Sequence, residues 1–324
     1  MRLPKNSEVP YTLTAGPKTV HVGHLSSELK PVLTINPGDT VSIETYGSLP
    51  PEKYEAHGVP PDMIPQSLRD IFREAKDRGP GPHILTGPVQ INGAETSDTL
   101  EVRIKDIGLT MPFGYNSIIQ GSGALFEDFP HYSRMFVKMD LTQMTSEVIP
   151  GVIVPLRPFF GTLGVAPPPI MGRVNSMTPG IYGGNMDNKE MISGTVLYLP
   201  IHVKGAQFSA GDAHAVQGDG EVNSTALETS ATGTFQFFVH KNRRIKCPRA
   251  ESSTHFIAMG FNEDLDVAVQ TAVREVIDFL GEAKGIRREE AYRIASLAVD
   301  LRVTQVVNGV KGIHAMIPKK IFTY

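Results

Sequence analysis

The chain has 324 residues, with 31 Lys and Arg against 34 Asp and Glu, and its net charge of −3 offers no basic footprint for nucleic acid. A single cysteine, Cys247, excludes an internal disulfide and a thiolate zinc cage, and no apolar run approaches the roughly 18 residues of a membrane span. Arg2, Lys5, Asn6 and Glu8 interrupt any signal-peptide core, so a cytoplasmic protein without membrane or nucleic-acid partners is expected.

With 31 Gly, 25 Pro and no Trp, the composition predicts many turns between short strands. Pro31–Ile35 reads as a strand that passes through the turn Asn36-Pro37-Gly38-Asp39 into Thr40–Glu44, which alternates at period two. A helix is expected over 65–76: Pro65 suits its start, Leu68, Ile71, Phe72 and Ala75 share a face, and Gly79-Pro80-Gly81 ends it. The turn-then-strand device recurs at Thr96–Thr99 before Leu100–Ile104, and loosely at Ala210-Gly211-Asp212, with Asp able to bond its own turn backbone.

Residues 148–184 carry so many Gly and Pro that regular structure is not expected over much of the stretch. Its apolar Phe159, Phe160, Leu163 and Val165 should not stand in water, so packing on a neighbouring subunit is expected. Near residue 231 the character changes. Strands are predicted at 234–239 and 254–259. A helix follows, with Leu265, Ala268, Val269, Ala272, Val273, Val276, Ile277 and Leu280 as its stripe and Asn262 as its cap. A second helix carries Ala291, Ile294, Ala295, Ala298 and Leu301, and strands near 302–308 and 312–318 close the chain. The fold class is mainly β with α+β character. A sandwich-like body of turn-then-strand hairpins spans 1–230 and carries the site motifs, and an α/β C-terminal lobe with two helices spans 231–324.

Common catalytic signatures are missing. Gly121-Ser122-Gly123 has the wrong spacing for a nucleophile elbow, and no H-E-x-x-H, C-x-x-C, Walker A or complete G-x-G-x-x-G pattern occurs. Lys246 and Arg249 could lower the pKa of Cys247, yet it lies outside any catalytic constellation and reads as structural. The run Lys241–Lys246 reads as a solvated strand end.

One region stands apart: Gly183–Asp187, then Leu199–Ala206, then Gly211–Glu221 concentrate Asp, His, Gln and Glu between glycines. In an extended backbone Asp212 and His214 face one side, as do Asp219 and Glu221 if the turn at 218–220 leaves the pleat intact. A carboxylate beside an imidazole suits a zinc-like ion. The residues leave the alternative open, with Asp212 and Asp219 as turn residues and His214 as a hydrogen-bonded core histidine.

A set of longer blocks bears on this choice: Asn36–Val41; His83 with Thr86–Val89 and Gly93–Glu95; Gly183–Asp187; Ser209–Glu221; Thr225–Glu228; and Ser296–Asn308. In these, and above all in the D-x-H-A-x-Q-G-D-G-E block, the chain resembles the acetamidase/formamidase family over nearly its whole length. The resemblance implies hydrolysis of small aliphatic amides to a carboxylate and ammonia, a mostly β sandwich-like body with an α/β lobe, a homodimer or larger assembly, and a divalent metal in at least some relatives. There are departures. Thr96-Ser97 replaces a Pro-Gly that relatives often carry. Asn223 stands where some have cysteine, so no thiol nucleophile is available there. Tyr46-Gly47-Ser48 follows Glu44-Thr45 where relatives tend to have an acid.

Amide hydrolysis needs activated water, a stabilised oxyanion and a proton for the leaving nitrogen. The expected ligands of a divalent metal, zinc with calcium as the alternative, are Asp187, Asp212 and His214, with His83 as a fourth. Glu221 is the candidate base and then acid, paired with Asp219 as the other catalytic carboxylate. Asn185 and Gln217 are expected to orient the small amide substrate, while Glu95 and Asp98 hold turns or outer contacts. The alternatives are a hydrolase of lactams or carbamates, with the Pro-rich 155–179 segment reshaping the pocket, and a non-catalytic metal-bearing binding protein.

Overall fold

A computed structural model describes residues 10–323; Arg2, Lys5, Asn6 and Glu8, on which the leader argument rests, lie outside the described residues. Two large sheets dominate. The first runs in the order Tyr11–Leu13, Thr40–Thr45, Ala231–His240, Thr99–Leu109, Val196–Pro200, Arg249–Glu251, His255–Asn262, Lys311–Pro318 and Asp300–Gln305. The second is built around Phe208–His214, which pairs with Phe159–Gly164, Ile84–Ile91 and Glu228–Thr229.

Period-two patterning decides which faces meet. Thr40–Thr45 buries Val41, Ile43 and Thr45, and Ala231–His240 buries Ala231, Gly233, Phe235 and Phe237. From the other sheet Phe160 and Phe208 point back, with ring centroids 5.6 Å and 5.7 Å from Phe235, and Phe208 lies 5.2 Å from Phe237. Truncating one such ring, as in Phe235→Ala, costs about 3–5 kcal/mol once the cavity is included.

The two early turn aspartates behave as expected. Asp39 Oδ2 accepts from Asn36 N at 2.8 Å, and Asp98 Oδ2 accepts from Glu95 N at 2.9 Å. The third does not, because Asp212 lies inside the strand Phe208–His214 rather than ahead of one.

The Gly/Pro-rich stretch differs most from expectation. Phe159–Gly164 is a fully buried strand, paired on one edge with Phe208–His214 and on the other with Gly183–Asn185. A strand covered on both faces shows no alternation, and its glycines permit close backbone approach: a Cβ on Gly164 would fall 2.7 Å from Gly184 N. Phe159, Phe160, Leu163 and Val165 therefore fill this chain's own core and leave nothing for a neighbouring subunit to cover.

The helix expected over 65–76 is Gln66–Glu74, preceded by Pro51–Ala56 and a short 3-10 turn that the sequence did not announce. The C-terminal helices are Leu265–Lys284 and Arg288–Ala298. The first is capped by Asp264, which accepts from Val267 N at 3.0 Å, while Asn262 braces Asp264 N one step upstream. Leu301 belongs to a strand and is exposed. These helices pack on His255–Asn262 and Lys311–Pro318 with a core of their own, where a Cβ on Gly260 would meet Ala268 O at 2.4 Å. The nine-stranded sheet draws strands from both sides of residue 230. Among the described residues no helix is long and apolar enough to cross a membrane.

Candidate active site

Three neighbouring strands place the acids. In register, His214 faces Glu228 on one side and Phe159 on the other. Asp212, two residues back, emerges on the same side as His214, with its Oδ2 3.3 Å from His214 Nε2. Glu228 Oε1 lies 3.4 Å from that nitrogen, and His83 Nε2 lies 3.6 Å from Asp212 Oδ2. Asp187 enters from just beyond the strand Gly183–Asn185, and Glu221 from the turn after Gly218.

All six side chains are buried. Asp187, Asp212 and Glu221 also hold φ values of 48°, 59° and 45°, in the left-handed region that side chains other than Asn and Asp seldom occupy. Such geometry persists only where surrounding structure enforces it, and it aims the carboxylates inward. The backbone yields too: a Cβ on Gly161 would lie 2.4 Å from Asp187 Oδ1, 2.6 Å from Asp212 Oδ2 and 2.9 Å from His214 Cε1.

Ligand atoms of Asp187, Asp212 and His214 lie within 4.8 Å of one another, and so do those of His214, Glu221 and Glu228. Asp187 Oδ1 and His214 Nε2 are buried with no hydrogen-bond partner, a costly state for groups of this kind unless something else binds them. Carboxylate and imidazole donors at this spacing fit a divalent cation.

Burial, and then the charge of Asp212 working against that of His214, holds the Asp187 carboxyl up at about 6. Burial and the adjacent Asp187 push Glu221 well above the usual range, and burial also raises Glu228. Burial would raise Asp212 as well, but His83 and His214 outweigh it and keep that acid low. His214 is lifted well above its ordinary value because Glu228 and Asp212 overcome its burial.

The expected ligands Asp187, Asp212, His214 and His83 thus come together with Glu221. The two amides expected to orient substrate instead hold this cluster. Gln217 Oε1 accepts from His214 Nδ1 at 3.0 Å and its Nε2 donates to Asp187 O at 2.8 Å, which leaves His214 Nε2 facing the cluster. Asn185 accepts from Thr162 Oγ1 at 2.6 Å and donates to Asp187 Oδ2 at 2.8 Å. Each amide thus spends one oxygen and one nitrogen contact on the cluster, and Asn185 also lines the cavity with its second N–H uncommitted.

Asp219 stands apart from Glu221. Gly220 at φ 95° and Glu221 at φ 45° break the pleat, so Asp219 turns outward to an ion pair with Lys189 at 3.1 Å. Asp98 is tied to Lys241 and Glu95 faces Lys204, both outside the cluster. Cys247 belongs neither to the cluster nor to its cavity lining, and burial, then Glu275, pushes its thiol up to about 12, while Arg249 is engaged by Glu275 and Glu282.

Two residues join the site that the sequence reading did not assign to it. Glu228 lay in a noted block, and only its strand pairing with His214 reveals its place. Asn308 reaches in from the C-terminal region and donates to Asp187 Oδ2 at 2.5 Å. Its loop is docked by Gly220 N donating to Thr304 O and Val306 N donating to Gly220 O, both at 3.1 Å. The cluster opens into a 350 Å³ cavity whose lining also includes Ser48, Tyr115, Ser117 and Arg134.

Comparison with known proteins places this geometry in context. The profile of the acetamidase/formamidase family matches residues 18–178 and 173–324. An acetamidase of Mycolicibacterium smegmatis is 27% identical over 213 residues, 48% of this chain and 52% of that protein. The chain spans about half the length of the curated relatives it matches. An acetamidase from Bacillus halodurans superposes with a TM-score of 0.80 at 30% identity, covering 96% of this chain and 98% of that one. An acetamidase from Yersinia enterocolitica gives 0.81 at 28% identity, covering 98% and 94%.

Proposed function

Because the chain belongs to the acetamidase/formamidase family, we propose that it hydrolyses small linear amides to a carboxylate and ammonia at the buried Asp187–Asp212–His214–Glu221–Glu228 cluster. One observation carries this reading: Asp187 Oδ1 and His214 Nε2 are buried and unpartnered within one cluster, and Asp187 lines a cavity together with the carboxylates of Asp212, Glu221 and Glu228.

Asp187, Asp212 and His214 are the residues that would hold a divalent cation, with His83 at the margin. Bound there, the cation would polarise the amide carbonyl and acidify water. Gln217 accepts from His214 Nδ1, so a cation that displaced the proton from Nε2 would find that nitrogen's lone pair facing it. Asn185 and Asn308 fix Asp187 through its second oxygen. Glu221 enters from a separate turn, and its raised proton affinity suits it to take a proton from attacking water and return it to the departing nitrogen. Glu228 lies against the same Nε2 of His214 that Asp212 approaches and helps balance the charge of the cluster.

Ammonia release across formamide, acetamide, longer amides and small lactams tests the reading, together with elemental analysis of the purified protein. Turnover of linear amides that falls on chelation is the expected result. A chain that binds a cation yet releases no ammonia from any of these would be a binding protein instead.

A further inference from the structure

Formamide has three heavy atoms and acetamide four, whereas the 350 Å³ cavity holds about a dozen water-sized volumes of ~30 Å³ each. The excess space has a distinct chemistry. Asp187, Asp212, Glu221 and Glu228 line it, and so does Arg134, on the strand Ser133–Lys138 that pairs with Phe113–Ile118. Arg134 Nε donates to Ser117 Oγ at 2.8 Å, and its guanidinium lies 5.2 Å from the ring centroids of both Tyr115 and Tyr132. These contacts hold the plane of the guanidinium in place.

Among the described residues no carboxylate lies within ion-pair distance of Arg134, and Nε is its only nitrogen with a side-chain hydrogen bond. Arg69, Arg73, Arg103, Arg157, Arg249 and Arg302 have acidic partners, whereas Arg78, Arg243, Arg244, Arg274 and Arg293 form no ion pair among the described residues; what sets Arg134 apart is that it lines the cavity of the acid cluster. Ser48 Oγ, also on the cavity wall, is buried without a partner. A half-buried, oriented guanidinium with free terminal nitrogens matches a carboxylate in geometry and charge. A neutral methyl or ethyl group would leave it unanswered.

We propose that Arg134 is a specificity-determining residue and that the preferred substrate is an amide bearing a carboxylate at its other end, with the amide at the acid cluster and the anion on Arg134. The inference rests on the amide-hydrolase reading and narrows its substrate class.

The test compares succinamate with butyramide, which is close in length and lacks the charge, in wild type and in Arg134→Gln and Arg134→Lys. The wild type should favour succinamate in kcat/KM by roughly tenfold to a hundredfold, the usual effect of hydrogen bonds to a charged group. Arg134→Gln should cut that preference at least tenfold, through KM, and Arg134→Lys should restore part of it; melting curves establish that both variants fold. A wild type that prefers butyramide, or a preference that Arg134→Gln leaves intact, overturns the inference. If neither compound releases ammonia, the amide-hydrolase reading fails separately, and calorimetric titration with the same two compounds decides the point: tighter succinamate binding that Arg134→Gln abolishes supports the anion site, and equal binding overturns it.

Discussion

Gly161 stands directly behind Asp187, and a Cβ on the glycine would lie 2.4 Å from the carboxylate Oδ1. The same methyl would also press on Asp212 and His214, so Gly161→Ala displaces three site residues at once. The backbone at 161 is an ordinary strand conformation, so the fold should survive. Activity is expected to fall by roughly 10²-fold, the effect of an ångström-scale misplacement, and the divalent-cation content of the purified protein should fall with it. Elemental analysis and a melting curve on the same preparation check both; wild-type cation content and turnover would show that the cluster is not the site.

Glu221 and Asp219 should separate cleanly. Glu221→Gln keeps size and hydrogen-bonding reach, so kcat should drop by roughly 10²–10⁴ with bound cation retained. In cation-stripped protein the variant should melt higher than wild type, because an acid held in unfavourable burial has been neutralised. Asp219→Asn loses a partly exposed pair with Lys189, worth about 1 kcal/mol or less, and a looser 3.9 Å approach to His314 Nε2, and should leave kcat near wild type. Loss of the cation in Glu221→Gln would make Glu221 a ligand and pass the proton relay to His83.

Asn308 tests whether the C-terminal region takes part in the site. Its amide donates to Asp187 Oδ2, so Asn308→Ala should lower cation affinity or kcat by roughly 10–100-fold, as outer-shell changes do. Asn308→Asp should be worse, because it sets a second carboxylate against Asp187. Chelator competition and steady-state kinetics measure the two effects; equal behaviour of the two variants would reduce Asn308 to a packing residue.

Acid sensitivity should come in part from His21, far from the cluster in sequence. Burial, only partly offset by its hydrogen bond to His24 O, holds its pKa down to about 4, against 6.5 when exposed. Between these values the unfolded chain takes a proton that the fold refuses, so stability falls as pH drops through that window. The raised acids of the cluster act in the opposite sense, and a variant is therefore needed to isolate the histidine. The stability gap between wild type and His21→Gln should narrow by about 2 kcal/mol between roughly pH 7.5 and roughly pH 5 in urea unfolding. A constant gap would show that His21 does not titrate as its burial implies.

The readable parts of this chain were those with one wet face. Thr40–Thr45 and Ala231–His240 alternate because one side is covered and the other is not, and the Leu265–Lys284 stripe repeats at helical spacing for the same reason. Phe159–Gly164 has no wet face, so it presents neither alternation nor polarity and its glycines look like breakers. Within the site, Asp212 and His214 were legible because an i, i+2 relation follows from the strand itself. Glu228 depends on which strand lies alongside, and Asn308 on a docked loop more than 100 residues away in sequence from Asp187, so neither position follows from local pattern. Asp219 was misplaced because two residues with positive φ interrupt the alternation that the argument assumed.

The left-handed backbone at Asp187, Asp212 and Glu221 has an evolutionary side. Glycine adopts that conformation without strain and asparagine nearly so, and neither brings a buried negative charge. Replacement at Asp187 and Glu221, whose carboxyls burial raises, is therefore downhill for the fold and ruinous for the cluster, while Asp212 is held by the charges of His83 and His214. A population copied for many generations with no demand for the activity should drift first at Glu221, where the misfit between residue and backbone is largest, and then toward Asn at 187. The survivors would be sturdier proteins with an empty hearth.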